Sequence, residues 1–287
     1  MINIASTTDS DFADNLMTFY VSILEHNLDE DFHFFIIDDK LSKADHKYLR
    51  QLEHIYGNVK EMTFLEINSS YYKEANTDSP DSAVKENTYY RLELPEVVDC
   101  DRIMYLDSDM ICTGSISELW NEDLHGNVIG AVEDQGYVNR LSEMGIPHKK
   151  NIYFNGGLLL FDTKKWREQN ITDKVHKFIL ENSDILTYQD QDALNAVLVD
   201  NWVVLHPRYN VQSKLARHDF VNPDPEAEKL EIEGRRDPLI IHYTGWSKPW
   251  VRSGKWLHPW RDSYYRYKFI ATQRLREYNE NLENEAQ

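Results

Sequence analysis

Apolar and polar positions follow two different periods along the N-terminal part of the chain. Residues 2–6 and 32–37 are short apolar runs, which are typical of buried strands. Residues 9–26 place apolar side chains three and four positions apart, which predicts an amphipathic helix, and residues 44–56 repeat that spacing. Residues 62–67 again resemble a strand. Strands that alternate with helices predict an α/β fold whose parallel sheet is joined by crossover helices.

The C-terminal part continues this pattern with more interruptions. Strands are predicted at residues 102–106, 128–132, 158–161, 202–205 and 239–243, and helices at residues 164–181 and 190–199. Residues 68–85 and 136–150 are polar or contain glycine, so they are predicted to be loops, as are residues 153–157. Residues 222–238 are acidic and contain three prolines, which also predicts a surface loop. Residues 256–287 are predicted to form a terminal helix with a polar end.

The length and the charge set limits on organisation and function. A chain of 287 residues, 41% of them hydrophobic, is long enough for one large domain with a sizeable core. We expect a catalytic domain at residues 1–250 and a helical extension at residues 251–287. The net charge of −18 argues against a protein that binds nucleic acid.

The positive charge is concentrated near the C-terminus. Residues 246–276 hold eight Lys or Arg and one acid, Asp262, a balance of +7 that leaves −25 for the rest of the chain. The tryptophans and tyrosines of this region are Trp246, Trp250, Trp256, Trp260, Tyr264, Tyr265 and Tyr267. Two interpretations stay open. The segment contacts an anionic membrane or a lipid-linked acceptor, or its aromatic rings pack under the core while the cations are solvated.

The cysteines and the N-terminus indicate the compartment. Cys100 and Cys112 have neither the number nor the spacing of a disulfide framework or a zinc site, so small buried side chains are expected. No signal-peptide pattern precedes the first strand, and the apolar runs are too short to cross a bilayer. These features predict a cytoplasmic protein, with peripheral contact on the inner face of the plasma membrane if the basic segment binds lipid.

The candidate chemistry begins with two carboxylates at the end of a buried strand. Asp107 and Asp109 follow the strand predicted at residues 102–106, and in extended chain they point to the same side. Ligands of open α/β sheets bind at the carboxyl edge, where this pair would lie. Two carboxylates there suit Mg²⁺ or Mn²⁺, which can neutralise a diphosphate. Asp-x-Asp is also a common turn pair, so the motif alone leaves both interpretations open.

Two further segments offer groups that could contact a nucleotide. The residues after the first strand, Thr7, Thr8, Asp9 and Phe12, can present hydroxyls, a carboxylate and an aromatic ring to a ribose and a base. Asp9 or Ser10 would serve equally well as a helix N-cap. Arg91 lies in a partly aromatic helical segment and can contact a phosphate or a sugar hydroxyl, although a surface ion pair is the simpler alternative.

The glycine pair and a polar helix start form another candidate segment. Gly156 and its neighbour allow close approach of the backbone to a ligand, and Asn155 can both donate to and accept from sugar hydroxyls. Asp190 and Gln191 are polar residues that open a helix with an apolar face, where Asp190 could also be an N-cap.

A histidine, a glycine and a lysine follow the last predicted strand. His242 could complete a metal site begun by two carboxylates, although a single histidine at a strand end is often structural. Gly245 would let the backbone approach phosphate oxygens, and Lys248 would place a cation beside them. The chain has neither a Walker A sequence nor Gly-x-Gly-x-x-Gly. Diphosphate binding would therefore depend on a metal and on cationic side chains.

Together these segments resemble the family 8 retaining glycosyltransferases, which include bacterial lipopolysaccharide galactosyltransferases and glycogenin. The matching motifs are Tyr105-Leu106-Asp107-Ser108-Asp109, Tyr153-Phe154-Asn155-Gly156-Gly157, Tyr188-Gln189-Asp190-Gln191-Asp192-Ala193-Leu194-Asn195, His242-Tyr243-Thr244-Gly245 and Lys248-Pro249-Trp250. They span residues 2 to about 250, and the combination is more specific than any one motif.

The resemblance implies a GT-A fold with a Rossmann-like mixed central sheet, flanking helices and a C-terminal basic aromatic helical segment. It also implies a hexosyltransferase with Mn²⁺ or Mg²⁺, a UDP-glucose or UDP-galactose donor, retention at the anomeric carbon, and an acceptor hydroxyl on a glycan, a lipid-linked sugar or a protein. The implied metal ligands are Asp107, Asp109 and His242, and the implied UDP contacts are Thr7, Thr8, Asp9, Phe12, Ser108, Gly245 and Lys248. The implied donor-sugar contacts are Arg91, Asp134, Asn155, Gly156, Asp190 and Gln191.

For catalysis the resemblance places an amide, here Gln191, near the anomeric carbon. This favours front-face substitution with the leaving phosphate as base, and Asp190 is the alternative nucleophile. The sequence departs from the family pattern in three places. Asp11-Phe12 stands where Asn-Tyr is common, Gly156 where Ala is frequent, and Trp246 is bulkier than usual.

Other classes of protein remain to be weighed. A metal-dependent nucleotidyltransferase would also use an acidic pair, but a phosphate-cradling glycine-rich loop would be expected with it. A nucleotide-sugar-binding protein without turnover is the alternative from a different class. A glycoside hydrolase needs two carboxylates that flank the substrate, and neighbouring carboxylates do not suit that geometry.

Overall fold

The computed structural model describes residues 1–72, 86–136, 140–217, 219, 221–245, 248–251 and 257–285, with the backbone alone at positions 69 and 86. The strands are β1 (Ile2–Thr8), β2 (Phe32–Asp38), β3 (Val59–Leu65), β4 (Arg102–Leu106), β5 (Met110–Cys112), β6 (Ile129–Glu133), β7 (Phe154–Asp162), β8 (Val203–Val204), β9 (Val211–Gln212) and β10 (Ile240–His242). The expected alternation of strands and helices is therefore present.

The helices connect and flank these strands. They are α1 (Ala13–Leu24), α2 (Lys43–Arg50), α3 (Leu52–Ile55), α4 (Leu94–Val97), α5 (Ser117–Trp120), α6 (Arg140–Glu143), α7 (Thr163–Glu168), α8 (Ile171–Glu181), α9 (Gln189–Val197), α10 (Ser213–Arg217), α11 (Pro225–Arg236) and α12 (Arg261–Glu285). Short 3₁₀ helices lie at Ser69–Tyr72, Glu86–Leu92 and Pro207–Tyr209.

A seven-stranded sheet in the order β3-β2-β1-β4-β7-β6-β8 forms the centre of the molecule. Strands β3, β2, β1 and β4 are parallel, β7 is antiparallel to both of its neighbours, and β8 is parallel to β6. The predicted mixed α/β architecture is thus confirmed. Because β1 and β4 are parallel neighbours, the residues that follow Thr8 and Leu106 meet at one edge of the sheet.

A second, three-stranded sheet in the order β5-β10-β9 brings a distant histidine to that edge. Strand β10 pairs antiparallel with β5, so that His242 lies opposite Met110, and parallel with β9, so that His242 also lies beside Gln212. Since Met110 directly follows Asp109, this register places His242 next to the acidic pair.

Apolar side chains cover both faces of the central sheet. Met104 and Leu106 of β4 pack into one core with α1, whereas Ile103 and Tyr105 pack into a second core on the opposite face. Alternate residues of a strand point to opposite faces, so only a continuous apolar run can bury both. This explains why residues 103–106 of β4 are all apolar.

Some of the predicted element boundaries are wrong. Residues 222–238 were expected to form a loop but contain the helix α11. Pro225 stands in its first turn, where a missing N–H costs nothing, and the Asp224 side chain accepts from Glu226 N at 2.9 Å. The helix expected at residues 164–181 is divided into α7 and α8 at Asn170, which has a φ of 49°. The expected loop at residues 153–157 also differs, because β7 begins at Phe154.

The C-terminal helix α12 packs against α1. Tyr264 and Tyr267 are buried, and Tyr264 Oη donates to Asn15 Oδ1 at 2.6 Å. Trp250 contacts the ring of Tyr264 with centroids 4.9 Å apart. These rings therefore pack under the core, whereas Trp246 and Trp256 lie outside the described residues. None of the helices in the described ranges is both long and apolar enough to cross a membrane.

Candidate active site

A cavity of about 300 Å³ opens at the carboxyl edge of the central sheet. Its lining is formed by Thr7, Thr8, Asp9, Phe12, Asn87, Thr88, Arg91, Tyr105, Asp107, Ser108, Asp109, Asn155, Gln191, His242, Thr244, Gly245 and Lys248. A larger cleft, of about 650 Å³, lies between α12 and the turn after α3. The chemistry rather than the volume identifies the site, because the smaller cavity brings the candidate residues together.

Three potential metal ligands converge in this cavity. Asp107, Asp109 and His242 each offer one donor atom, and these atoms lie within 4.8 Å of one another. His242 Nε2 is 3.1 Å from Asp109 Oδ1 and 3.5 Å from Asp107 Oδ2. Within the described part of the chain, Asp109 Oδ1 is buried and accepts no hydrogen bond. A buried acceptor without a donor is costly unless a cation compensates it.

The tautomer of His242 is set by a chain of amides. Asn155 Nδ2 donates to Asp134 Oδ2 at 3.0 Å, which turns Asn155 Oδ1 toward Asn210 Nδ2 at 2.9 Å. Asn210 Oδ1 must then accept from His242 Nδ1, at 2.9 Å. A neutral imidazole held in this way presents the Nε2 lone pair to the two carboxylates. Oxygen and imidazole donors with this orientation fit a divalent cation such as Mn²⁺.

Gly157 provides the space that this cluster needs. A Cβ at position 157 would lie 2.3 Å from His242 Cε1 and 2.7 Å from Asp107 Oδ2, distances that real Cβ atoms do not adopt. At Gly156 the nearest atom, an Arg91 guanidinium nitrogen, would be 3.6 Å away, which is ordinary contact. Glycine is therefore required by packing at position 157, whereas position 156 has room for alanine.

Lys248 lies on the other side of the acidic pair. Its ammonium group forms an ion pair with Asp109 Oδ2 and donates to Tyr243 O at 2.6 Å. Burial opposes the charge of Asp109, but the Lys248 ammonium beside it is the largest of the effects that hold the pKa of this carboxyl below its usual range. Gly245, which lies three residues before Lys248, has a φ of 70°, a left-handed conformation that favours glycine. The site thus pairs the Asp109 carboxylate with a lysine ammonium.

Arg91 is buried and holds several groups in place, so the surface ion pair considered above is wrong. Its guanidinium lies 3.1 Å from Asp107 Oδ1 and 2.9 Å from Asp190 Oδ2, and it donates to Gly156 O at 2.6 Å. It also stacks 4.7 Å above the ring of Tyr105. Burial disfavours the cation, but Asp107 and Asp190 raise the pKa of Arg91 above its usual value. Arg91 therefore fixes both carboxylates.

The turn after β1 forms the opposite wall. Asp9 Oδ1 accepts from Phe12 N at 3.1 Å, so Asp9 closes the turn that precedes α1, while Phe12 itself is the N-cap residue. Tyr105 Oη donates to Thr7 Oγ1 at 3.3 Å. The ring of Phe12 meets that of Trp250 edge to face, with centroids 6.0 Å apart. This aromatic pair makes that part of the wall apolar.

Gln191 projects into the cavity from the first turn of α9. Its Oε1 accepts from Gly156 N at 2.8 Å, and its Nε2 donates to Asp134 Oδ2 at 3.1 Å. Burial raises the pKa of Asp134 to about 6, against the opposing effect of Asn155 and Lys214. The amide is therefore held at both ends by groups behind the cavity wall.

Asp190 is directed away from the cavity. Its Oδ1 accepts from Thr88 Oγ1 at 3.0 Å, and its Oδ2 faces Arg91. Burial raises the pKa of Asp190 to about 6, although Arg91 and Thr88 counteract it. Asp134, Gly156 and Asp190 are the three predicted site residues that do not line the cavity, and each contacts a residue that does.

Some groups of the site were given no role in the analysis of the sequence. Asn87, Thr88, Tyr105 and Thr244 line the cavity, and Asn210 orients His242 from outside it. Asn210 lies just before β9, a strand of two residues that has no periodicity to detect. Which groups of this polar network donate and which accept can be seen only when the pairing of the strands is known.

Comparisons with known proteins identify the family of this chain. The family model "Glycosyl transferase family 8" matches residues 3–254. General stress protein A of Bacillus subtilis (strain 168) is 35% identical over 93% of this chain and 93% of its own length. The lipopolysaccharide 1,2-glucosyltransferase of Escherichia coli (strain K12) is 29% identical over 87% of this chain and 72% of its own.

A solved structure shares the fold. The galactosyltransferase LgtC, in complex with donor and acceptor sugar analogues, superposes with a TM-score of 0.80 at 25% identity and covers 94% of this chain and 96% of its own. The chain therefore belongs to glycosyl transferase family 8 and is a retaining glycosyltransferase with a GT-A fold. Among the classes of protein considered from the sequence, the family assignment therefore favours a glycosyltransferase.

Proposed function

We propose that this enzyme transfers a hexose, glucose or galactose, from a UDP-sugar to an acceptor hydroxyl with retention of configuration and with Mn²⁺ as its metal. The observation that carries the proposal is the cluster of Asp107, Asp109 and His242 beside Lys248 in one cavity. A cavity of about 300 Å³ is within the range of small-ligand sites. The relatives named above include a glucosyltransferase and a galactosyltransferase, which supports a hexose donor.

The walls of the cavity suggest how the donor lies. Phe12 and the turn at Asp9 would hold the uracil and ribose, with Thr7, Thr8 and Ser108 as hydroxyl partners. The diphosphate would lie between the acidic pair and Lys248, close to the Gly245 backbone. When bound, a divalent cation there would supply positive charge opposite the diphosphate. The hexose would then face Asn155 and Gln191.

The roles of the remaining residues follow from their partners. Lys248 can leave Asp109 for a phosphate oxygen and so offset the charge that develops on the departing UDP. Gln191, fixed by Gly156 and Asp134, presents an amide rather than a carboxylate to the sugar, which favours front-face substitution with the leaving phosphate as base. Asp190 is the alternative nucleophile, but its engagement with Arg91 and Thr88 argues for a supporting role.

The acceptor is proposed to be a hydroxyl of a cell-surface glycan or of a lipid-linked or protein-linked sugar. The Escherichia coli relative acts on lipopolysaccharide by its name, which supports an acceptor of this class. We also propose that the protein works in the cytoplasm, with a catalytic domain at residues 1–250 and a helical extension at residues 251–287.

Substitution of the metal ligands tests the proposal. Asp107→Ala and Asp109→Ala should abolish Mn²⁺-dependent transfer while the thermal unfolding midpoint stays close to that of the wild type. Asp29→Ala removes an exposed carboxylate far from the cavity and should leave activity unchanged. Substantial Mn²⁺-dependent turnover in either ligand variant would show that the metal site has been placed wrongly.

We propose in addition that α12 touches an anionic membrane through its exposed face. Tyr265 and Phe269 are one helical turn apart, and their exposed fractions are 39% and 64%. Arg261 stacks on Tyr265 at 4.9 Å, and Arg266 lies exposed on the same turn. Aromatic rings interleaved with cations suit the interface of an anionic bilayer.

A double variant tests this contact without removing the helix, since α12 contributes to the core. Tyr265→Ser/Phe269→Ser should reduce flotation with vesicles that contain anionic lipid. Leu282→Ser, an exposed apolar residue in the acidic end of the same helix, is the control and should have no effect. Equal flotation of the wild type and the double variant would refute the membrane contact.

A further inference from the structure

A buried ion pair lies behind the start of helix α9. Arg140 Nε donates to Asp192 Oδ1 at 2.9 Å and an Arg140 terminal nitrogen donates to Asp192 Oδ2 at 2.6 Å, so the pair is bidentate. The exposed fractions of the two side chains are 9% and 0%. Tyr153 Oη also donates to Asp192 Oδ1, at 2.8 Å, and Arg140 donates to Ile185 O at 2.7 Å. The carboxylate is therefore fully satisfied and closed to substrate.

The same carboxylate holds the turn that precedes the helix. Asp192 Oδ2 accepts from Thr187 N at 2.7 Å and from Tyr188 N at 2.8 Å. The next residue, Gln189, is buried and has a φ of 42°, a left-handed conformation that is unfavourable for a residue with a Cβ. Such a conformation persists only where the surroundings impose it, and residues held in this way are enriched at functional sites.

This strained turn determines where Gln191 lies. Gln191 N donates to Tyr188 O at 3.0 Å, so the helix begins directly from the residue that Asp192 fixes. The side chain of Gln191 is then received by Gly156 N. A shift of the turn would move the amide relative to the donor sugar without touching the nucleotide end of the cavity, where Asp109 and Lys248 lie.

We propose that Arg140 is a positioning residue for glycosyl transfer, which acts through Asp192 to impose the turn at Gln189 and so place the amide of Gln191. The inference rests on the proposed function. Arg140 comes from the segment after β6, which the sequence alone predicts to be a loop, and it makes no contact with the cavity lining in the described structure. Its effect is therefore expected on the chemical step and not on nucleotide binding.

The test compares Arg140→Met, Arg140→Lys and a control, Glu143→Gln. Glu143 contacts Arg140 at 3.4 Å from the exposed side. Glu143→Gln therefore removes a charge next to Arg140 but leaves the contact between Arg140 and Asp192 in place. For each variant we would measure kcat and KM for the UDP-sugar, the affinity for UDP with Mn²⁺ by calorimetry, and the thermal midpoint. Hydrogen exchange of the peptide that covers residues 185–195 gives a readout that does not depend on turnover.

Arg140→Met is expected to lower kcat about 10- to 100-fold, the effect of a displacement of roughly 1 Å at a reacting centre, with UDP affinity within about threefold of the wild type. Exchange of the 185–195 peptide should accelerate. Arg140→Lys should recover part of kcat, because one ammonium reaches only one carboxylate oxygen, and Glu143→Gln should behave as the wild type.

Two results would overturn the inference. One is an unchanged kcat in Arg140→Met, or in Arg140→Lys if the methionine variant does not fold. The other is a parallel loss of UDP affinity and kcat, which would indicate general damage. If the wild-type protein turns over no UDP-sugar, the proposed function is refuted instead. In that case hydrogen exchange alone tests the positioning role, and exchange at residues 185–195 that is unchanged in Arg140→Met would refute it.

Discussion

Replacement of Gly157 by alanine is the most direct test of how tightly the metal cluster is packed. A Cβ at this position would lie 2.3 Å from His242 Cε1, 2.7 Å from Asp107 Oδ2 and 2.9 Å from His242 Nδ1. Gly157 is a residue of β7 whose carbonyl accepts from Asp107 N at 2.9 Å. Neither neighbour can move away without leaving the cluster, because both are potential metal ligands.

The size of the effect follows from these distances. An ordinary contact needs about 3.4 Å or more, so the imidazole must move by roughly 1 Å. A displacement of that size at an active site costs on the order of 100-fold in rate, or about 2.7 kcal/mol. Overpacking of a filled interior costs about 1–3 kcal/mol of stability in addition. Gly156→Ala is the matched control, because its Cβ would meet no atom closer than 3.6 Å.

The assay is Mn²⁺-dependent release of UDP from the donor, together with Mn²⁺ affinity by calorimetry. Gly157→Ala should lose about 100-fold in turnover and bind Mn²⁺ more weakly, whereas Gly156→Ala should stay within about threefold of the wild type. The reasoning is wrong if Gly157→Ala retains wild-type turnover and Mn²⁺ affinity, or if both alanine variants lose activity equally.

Two other predictions concern groups behind the cavity wall. Asn210→Leu removes the acceptor for His242 Nδ1 and should lower Mn²⁺ affinity about 10- to 100-fold in calorimetry, an expectation that fails if the affinity is unchanged. Because burial raises the pKa of Asp134 to about 6, ionisation of this carboxyl destabilises the folded state increasingly as the pH rises from about 4 past 6. Asp134→Asn should therefore gain up to about 3 kcal/mol in urea unfolding at pH 8 and almost nothing at pH 4, and an equal gain at both pH values would contradict this.

Much of the fold could be predicted because its signals are local. The apolar run of β4 is buried on both faces, and the run ends directly at Asp107, so a strand and its carboxylates could be located together. The prediction for residues 222–238 was wrong because it used the number of prolines and acidic residues, which is typical of a loop. Their positions matter more than their number, since Pro225 and Asp224 together begin a helix.

The site was less accessible from the sequence because its contacts are distant. Asp109 and His242 are 133 residues apart, and only the pairing of β10 with β5 brings them together. The resemblance to a family indicated His242, but no periodicity or spacing could have indicated Asn210. Arg91 was a candidate from the sequence and lines the cavity, yet its burial and its two carboxylate partners depend on packing that a helical pattern does not reveal.

The measurement that tests the central claim most directly is release of UDP from UDP-glucose and UDP-galactose, with and without Mn²⁺, in the absence of an acceptor. The account predicts slow hydrolysis of one donor that requires Mn²⁺ and that disappears in Asp109→Ala. The absence of both release and calorimetric binding for every UDP-sugar tested would contradict the assignment of this cavity to a UDP-hexose.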